Sequence, residues 1–298
     1  MVNDGSTYAP IHTPFFIIYT IVSIVFIVLQ VRFITIVQWC KELVKLPSYR
    51  IAQHSSIACT INIITQLIAV LATFCSANMN ETVNWVNGAF FQGTWAAEYP
   101  MIFILAAYRL IAVALPHSVD RIFTLKLSYV LVALCWCFGV FNTALCLSGG
   151  VRSVWIPTEP GFAFTGNTFI AVFMYNMDFY FGEFVICASL ICYVSLFILV
   201  IVRRDTMKTL KLQGPLILHF GTIFLMTAVT LFLWHNPPST SIIYGHFFNL
   251  MVLLHFCISP VLALITNKVV RQRFLHMRRV SAEPMAFTMT SRRKNPTL

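Results

Sequence analysis

Phe91, Trp95, Glu98, Ile102, Leu105 and Arg109 recur at spacings of three and four, so a helix through them presents all six on one face. Glu98 precedes Arg109 by eleven residues, close to three helical turns. The two charges therefore share an azimuth, roughly 16 Å apart along the axis, and cannot pair with each other. An acid within an apolar run is costly unless it faces a partner, a ligand or water. Glu98 reads either as a ligand contact or protonation-sensitive group, or as a neutral carboxyl bonded to a neighbouring helix. Arg109 reads either as a functional cation or as a helix-end side chain snorkelling to lipid headgroups.

The element that must position this face is the third of seven apolar runs: 14–37, 51–75, 89–113, 125–148, 179–202, 214–234 and 244–266. Each holds about 20 or more mostly apolar residues, the length a helix needs to cross roughly 30 Å of hydrocarbon. The chain is 58% hydrophobic and 10% charged, against about 25% charge in a soluble domain. The expected fold is an all-α membrane protein, a seven-transmembrane helix bundle that uses the whole chain. Glu183 falls one turn inside the fifth run, and His246 and Asn249 fall near the outer end of the seventh. With Phe91, Trp95 and Glu98 they outline a mainly apolar, aromatic pocket for a small organic ligand. For each of them, helix–helix packing through hydrogen bonds is the plainer reading.

All twenty Lys and Arg residues except Arg152 fall on one side of these runs. The alternate connections carry Lys41, Lys45 and Arg50, then Arg121 and Lys126, then Arg203, Arg204, Lys208 and Lys211. The tail adds Lys268, Arg271, Arg273, Arg278, Arg279, Arg292, Arg293 and Lys294, while Arg32 and Arg109 lie near the same ends of their helices. Cytoplasmic loops accumulate Lys and Arg, so residues 1–13 are expected outside and 280–298 inside. The net charge of +10 is then a topology signal that also favours anionic lipid. It makes no case for nucleic acid. Asn80-Glu81-Thr82 is an Asn-x-Thr glycosylation sequon in a connection placed outside. No cleavable signal peptide is evident, and the first run serves as the insertion signal. The nine cysteines form no framework. Cys75 and Cys146 approach the outer face, where they either pair by oxidation or act as small hydrophobes. Neither CxxC nor CxxH occurs, so no metal or cofactor is expected.

Tyr108-Arg109-Leu110 ends the third run, with Pro116 seven residues after the arginine; Trp136 lies mid-way along the fourth; and Tyr193 lies about ten residues before Arg203. Together these residues resemble rhodopsin-like G-protein-coupled receptors. Ser259-Pro260 in the seventh run, followed by Asn267-Lys268-Val269-Val270-Arg271-Gln272-Arg273-Phe274, is similar to that family's Asn-Pro-x-x-Tyr segment and basic amphipathic helix. The departures are Tyr108 for the usual acid, Ser259 for Asn, Ala263 for Tyr, Cys59 at the second-span Asp position, no third-span disulfide and no Pro in the middle of the sixth span, where Pro215 stands only at the inner end. Such erosion, with Pro47-Ser48-Tyr49-Arg50-Ile51 before the second span, resembles nematode serpentine chemoreceptors of the Srxa or Srt class. The resemblance implies a chemosensory receptor in the plasma membrane, as in a sensory cilium, that binds a small-molecule cue. It implies coupling to a heterotrimeric G protein through Tyr108, Arg109, Pro116, Tyr193, Ser259, Pro260 and Asn267. It also implies an amphipathic helix over 267–279 with Val270, Phe274 and Met277 toward lipid. Arg278-Arg279-Val280-Ser281 places Ser281 behind two cations, a setting for a basophilic kinase or merely a solvated tail.

Other classes fit less well. HExxH, GxSxG and P-loop patterns are absent, so an enzyme is not expected. The seventh run has no Lys for a retinal Schiff base. No polar stripe runs far enough along one span to line a channel. A secondary transporter is the alternative, although no half-to-half repeat is visible.

Overall fold

The computed structural model describes residues 12–75, 79–157, 160–202, 207–239 and 241–275. In chain order it contains α1 (His12–Trp39), α2 (Pro47–Phe74), α3 (Glu81–Ala114), the short α4 (Val119–Ile122) and α5 (Leu125–Leu147). A β-hairpin follows, β1 (Arg152–Ile156) and β2 (Gly161–Thr165), then α6 (Phe169–Val202), α7 (Met207–His235), α8 (Ile242–Thr266) and α9 (Lys268–Leu275). Six helices, α1, α2, α3, α5, α6 and α8, are long and apolar enough to cross a membrane. The chain is therefore a multi-pass helical membrane protein. In α7 the apolar stretch among the described residues is Gly221–His235.

Two connections differ from the sequence expectation. Residues 149–178 read as a polar connection, yet they hold the hairpin and the first turns of α6. Asn176 and Asp178 interrupt the apolar run there, but the helix continues through them because Asp178 is satisfied inside the bundle. Helix α3 likewise begins before its apolar run, where the Asn80 side chain accepts a hydrogen bond from the Thr82 amide at 2.8 Å.

Helix α3 is the axis of the bundle. It packs against α2, α5, α6, α7 and β1, and most of its residues between Asn87 and Val113 are buried, with Phe90 exposed and Phe103, Ala107 and Leu110 part-buried. Gly93 and Gly139 let α3 and α5 approach closely. A Cβ on Gly139 would lie 2.6 Å from the Gly93 carbonyl oxygen, and one on Gly93 would lie 2.8 Å from that of Gly139. Helix α1 is peripheral, with Ile17, Ile21, Val25 and Val28 exposed on a face suited to lipid.

The hairpin lies against one end of the bundle, and its antiparallel register sets Trp155 opposite Phe162. Both rings point into the core. The Asn84 side chain brackets Trp155, donating to its carbonyl at 3.1 Å and accepting from its amide at 2.8 Å. The Trp155 indole donates to Thr73 Oγ1 at 3.1 Å. Arg152 pairs with Glu81 and lies 5.1 Å over the Trp85 ring. At Gly88 there is no room for a side chain, since a Cβ would fall 1.9 Å from the Ser153 carbonyl oxygen.

At the opposite end, Asn267 joins α8 to α9. Its amide donates to the Ala263 carbonyl at 2.9 Å, and its side-chain oxygen accepts from Val269 and Val270 at 2.8 and 3.2 Å. Its side-chain nitrogen donates to the Tyr49 hydroxyl. Val270, expected toward lipid, is 0% exposed and packs with Phe33 and Val37. The cause is the docking of α9 against α1, where Arg32 also covers the Phe274 ring at 4.7 Å. Met277 and the rest of 276–298, including Ser281, lie outside the described residues.

Candidate functional site

An aromatic column descends from the hairpin along α3. Phe162 stacks on Phe91 with centroids 4.3 Å apart, and Phe91 stacks on Trp95 at 6.1 Å. Trp95 in turn meets Tyr99 at 5.3 Å, Phe256 at 5.2 Å and His255 at 5.6 Å, all edge-on. The three-and-four spacing on α3 builds one side of this column, and α8 supplies the other.

Glu98 lies at its foot. The Cys59 thiol on α2 donates to Glu98 Oε1 at 3.1 Å. His255 Nε2 on α8 lies 3.7 Å from the same oxygen, and the two side chains are only 1% and 4% exposed. On its other side, His255 Nδ1 lies 3.5 Å from Thr227 Oγ1 of α7. Four helices thus meet through one polar chain, Cys59–Glu98–His255–Thr227. A bare charge this deep is costly, and Cys59 and His255 are the polar side chains placed beside the Glu98 carboxyl.

A second pair of the same kind lies on the α6 side. Asp178 Oδ2 and His235 Nε2 are 3.7 Å apart, and both side chains are buried. Gln92 on α3 donates to Asp178 Oδ1 at 3.1 Å. Phe179 and Tyr175 flank the His235 ring edge-on at 4.8 and 6.0 Å. Tyr99 lies within electrostatic range of Asp178, Glu98 and Glu183. The sequence reading missed Asp178, Gln92, His235 and His255. His255 carried a usable signal, a titratable residue in mid-run. Asp178 stood one residue before the expected start of its span.

Of the six expected ligand residues, the structure gathers Phe91, Trp95 and Glu98. His246 and Asn249 face α1 instead. The Tyr19 hydroxyl lies 3.0 Å from His246 Nδ1 and 2.8 Å from its carbonyl, Phe15 stacks on the imidazole at 4.2 Å, and Asn249 lies beside Tyr19. Glu183 is half-buried, about four turns into α6 because the helix starts at Phe169.

At the α9 end, Arg109 is 7% exposed. It does not extend to the surface, because aromatic side chains enclose it. Its guanidinium lies 5.3 Å over the Tyr108 ring, with Tyr49 and Tyr193 in electrostatic range. Tyr108 packs edge-on against Phe123 at 5.3 Å, and Tyr193 against Phe224 at 5.2 Å. Tyr193 and Ser259 share a cavity of about 10 Å³ with Ile102 and Leu105, space for about one water. Ser259 and Pro260 are buried within α8, whereas Pro116 is exposed in the turn after α3. The Trp136 indole donates to His54 of α2 at 3.3 Å.

All nine cysteines are free, Cys75 exposed and Cys146 buried. Among the described residues, no group of three or more His, Cys, Asp or Glu could hold a metal ion. Asn80 is exposed. A cleft of about 260 Å³ opens between the hairpin and the adjoining ends of α7 and α8. No family model matches the chain, and no curated protein matches it.

Proposed function

We propose that the chain is a seven-span G-protein-coupled chemosensory receptor of the plasma membrane, with its hairpin outside and α9 inside. A small-molecule cue binds at the hairpin end, and a heterotrimeric G protein engages the α9 end. One observation supports this above the rest: α3 is a single buried rod that carries the aromatic column and Glu98 on one stretch and the enclosed Arg109 on another. A change at the column therefore has a rigid route to a cation beside the α9 end. Helix α7, at 29 residues, extends about 43 Å, enough to serve as the sixth span. It touches both acid–histidine pairs, through His235 and through Thr227. Outward movement of α7 would uncover a groove beside Arg109 for a helix of the G protein.

The test is a second-messenger assay in cells expressing the chain, screened against volatile and water-soluble metabolites, with Arg109→Ala as control. A ligand-dependent response lost in Arg109→Ala supports the receptor. The two buried acid–histidine pairs favour one other reading, a proton-coupled secondary transporter, since each pair can take up and release a proton. Ligand-dependent flux with no G-protein signal would establish that reading instead.

A further inference from the structure

The expected ligand residues on α3 are already covered by protein. Phe162 lies on Phe91, and Trp95 is buried among rings. The open space is on the far side of Phe162. There the cleft of about 260 Å³ is walled by Phe162 and Ala163 of the hairpin and by Leu233, Trp234, Tyr244 and Phe248 of α7 and α8. Trp234 and Phe248 lie 5.8 Å apart, and Tyr244 and Phe248 6.1 Å, so the α7–α8 side is one aromatic wall. Three of its polar side chains hydrogen-bond within the protein. The Tyr244 hydroxyl donates to the Leu233 carbonyl at 3.2 Å. Ser241 Oγ accepts from the Tyr244 amide at 3.2 Å, and Ser239 Oγ from the Ser241 amide at 3.1 Å. None of the described lining residues is charged. Such walls favour an apolar guest and leave a charge or a strong hydrogen-bonding group without compensation.

We infer that this cleft binds an uncharged, aromatic or cyclic apolar small molecule, and that Phe162 is the partition between it and the column on α3. Phe162 has one face in the cleft wall and its ring on Phe91. A guest pressing on Phe162 shifts the stack that leads through Phe91 and Trp95 to His255 and Glu98. The inference rests on the receptor reading for the consequence of occupancy, whereas occupancy itself is independent of signalling.

The experiment is photolabelling of the purified full chain in lipid nanodiscs with an uncharged diazirine-bearing benzene probe, followed by peptide mapping. Label should concentrate on 233–248 and 156–163 and fall at least tenfold with excess toluene. Ala163→Trp, which fills the cleft, should reduce it to a similar degree. The toluene competition on the unaltered chain decides the matter if that variant does not fold. Label confined to the lipid-facing Phe184 and Phe197, or not competed by toluene, would reduce the effect to partitioning into lipid and overturn the proposal. Competition by benzyltrimethylammonium but not by toluene would overturn the ligand class. Competed label at the cleft without any G-protein response would sink the receptor reading and leave this site standing.

Discussion

Asp178 on α6 faces His235 on α7 at 3.7 Å, the same separation at which Glu98 on α3 meets His255 on α8. Each pair joins two different helices, and all four side chains are buried. Removing one member leaves the other facing an apolar group in the interior, a loss of about 1–3 kcal/mol for a buried polar group without a partner.

His235→Phe should therefore lower stability in detergent by about 2 kcal/mol, and Asp178→Asn should recover much of it in the double variant. A double variant whose loss equals the sum of the two single losses would show that Asp178 and His235 do not interact.

Glu98→Gln keeps the shape of the side chain and removes its charge. It should spare expression and weaken agonist response about tenfold, equivalent to about 1.4 kcal/mol. The shift should be similar for neutral and cationic agonists, because Glu98 acts through Cys59 and His255. An unmoved dose–response curve would make Glu98 a packing residue only.

Arg109→Ala should abolish G-protein coupling while surface expression persists. Tyr108→Asp would supply the acid missing beside Arg109 and should lower basal signalling through a charge-assisted pair. Full coupling in Arg109→Ala would remove the arginine from the mechanism.

Orientation has a clean test at the sequon. Asn80 also caps α3 through its side-chain oxygen, so replacing it mixes loss of glycan with a capping loss of about 1 kcal/mol. Thr82→Ala removes the sequon and keeps the amide that the cap uses. A glycosidase-sensitive mass shift lost in Thr82→Ala would place the start of α3 outside. Modification of a sequon introduced into 203–213 instead would reverse the topology.

The face of α3 from Phe91 to Arg109 was legible because its residues keep helical spacing and are buried, while the neighbouring Phe90, Phe103 and Leu110 are more exposed. The hairpin was less so. Residues 152–156 alternate in burial, but Arg-Ser-Val-Trp-Ile does not alternate polar with apolar, and both strands are only five residues long in a segment that reads as a polar connection. Asp178 was hidden by the same habit of ending a span at a charge. What made the helix continue was Gln92, a partner 86 residues away in sequence. Arg109 near a helix end reads as lipid-facing until Tyr49, Tyr108 and Tyr193, from three different helices, are seen around it. Choice of partner is a tertiary fact, and one chain's local pattern does not contain it.

Asn267 leaves no slack between α8 and α9, because the residue that closes one helix opens the next. A joint of that kind transmits torque. A twist of α8 about its own axis would swing α9 sideways like a crank and draw Phe274 off Arg32, which covers its ring at 4.7 Å. The far end of the same shaft carries Tyr244 and Phe248 in the cleft wall. With α8 turning as one body, the angle of α9 would follow how that wall is set.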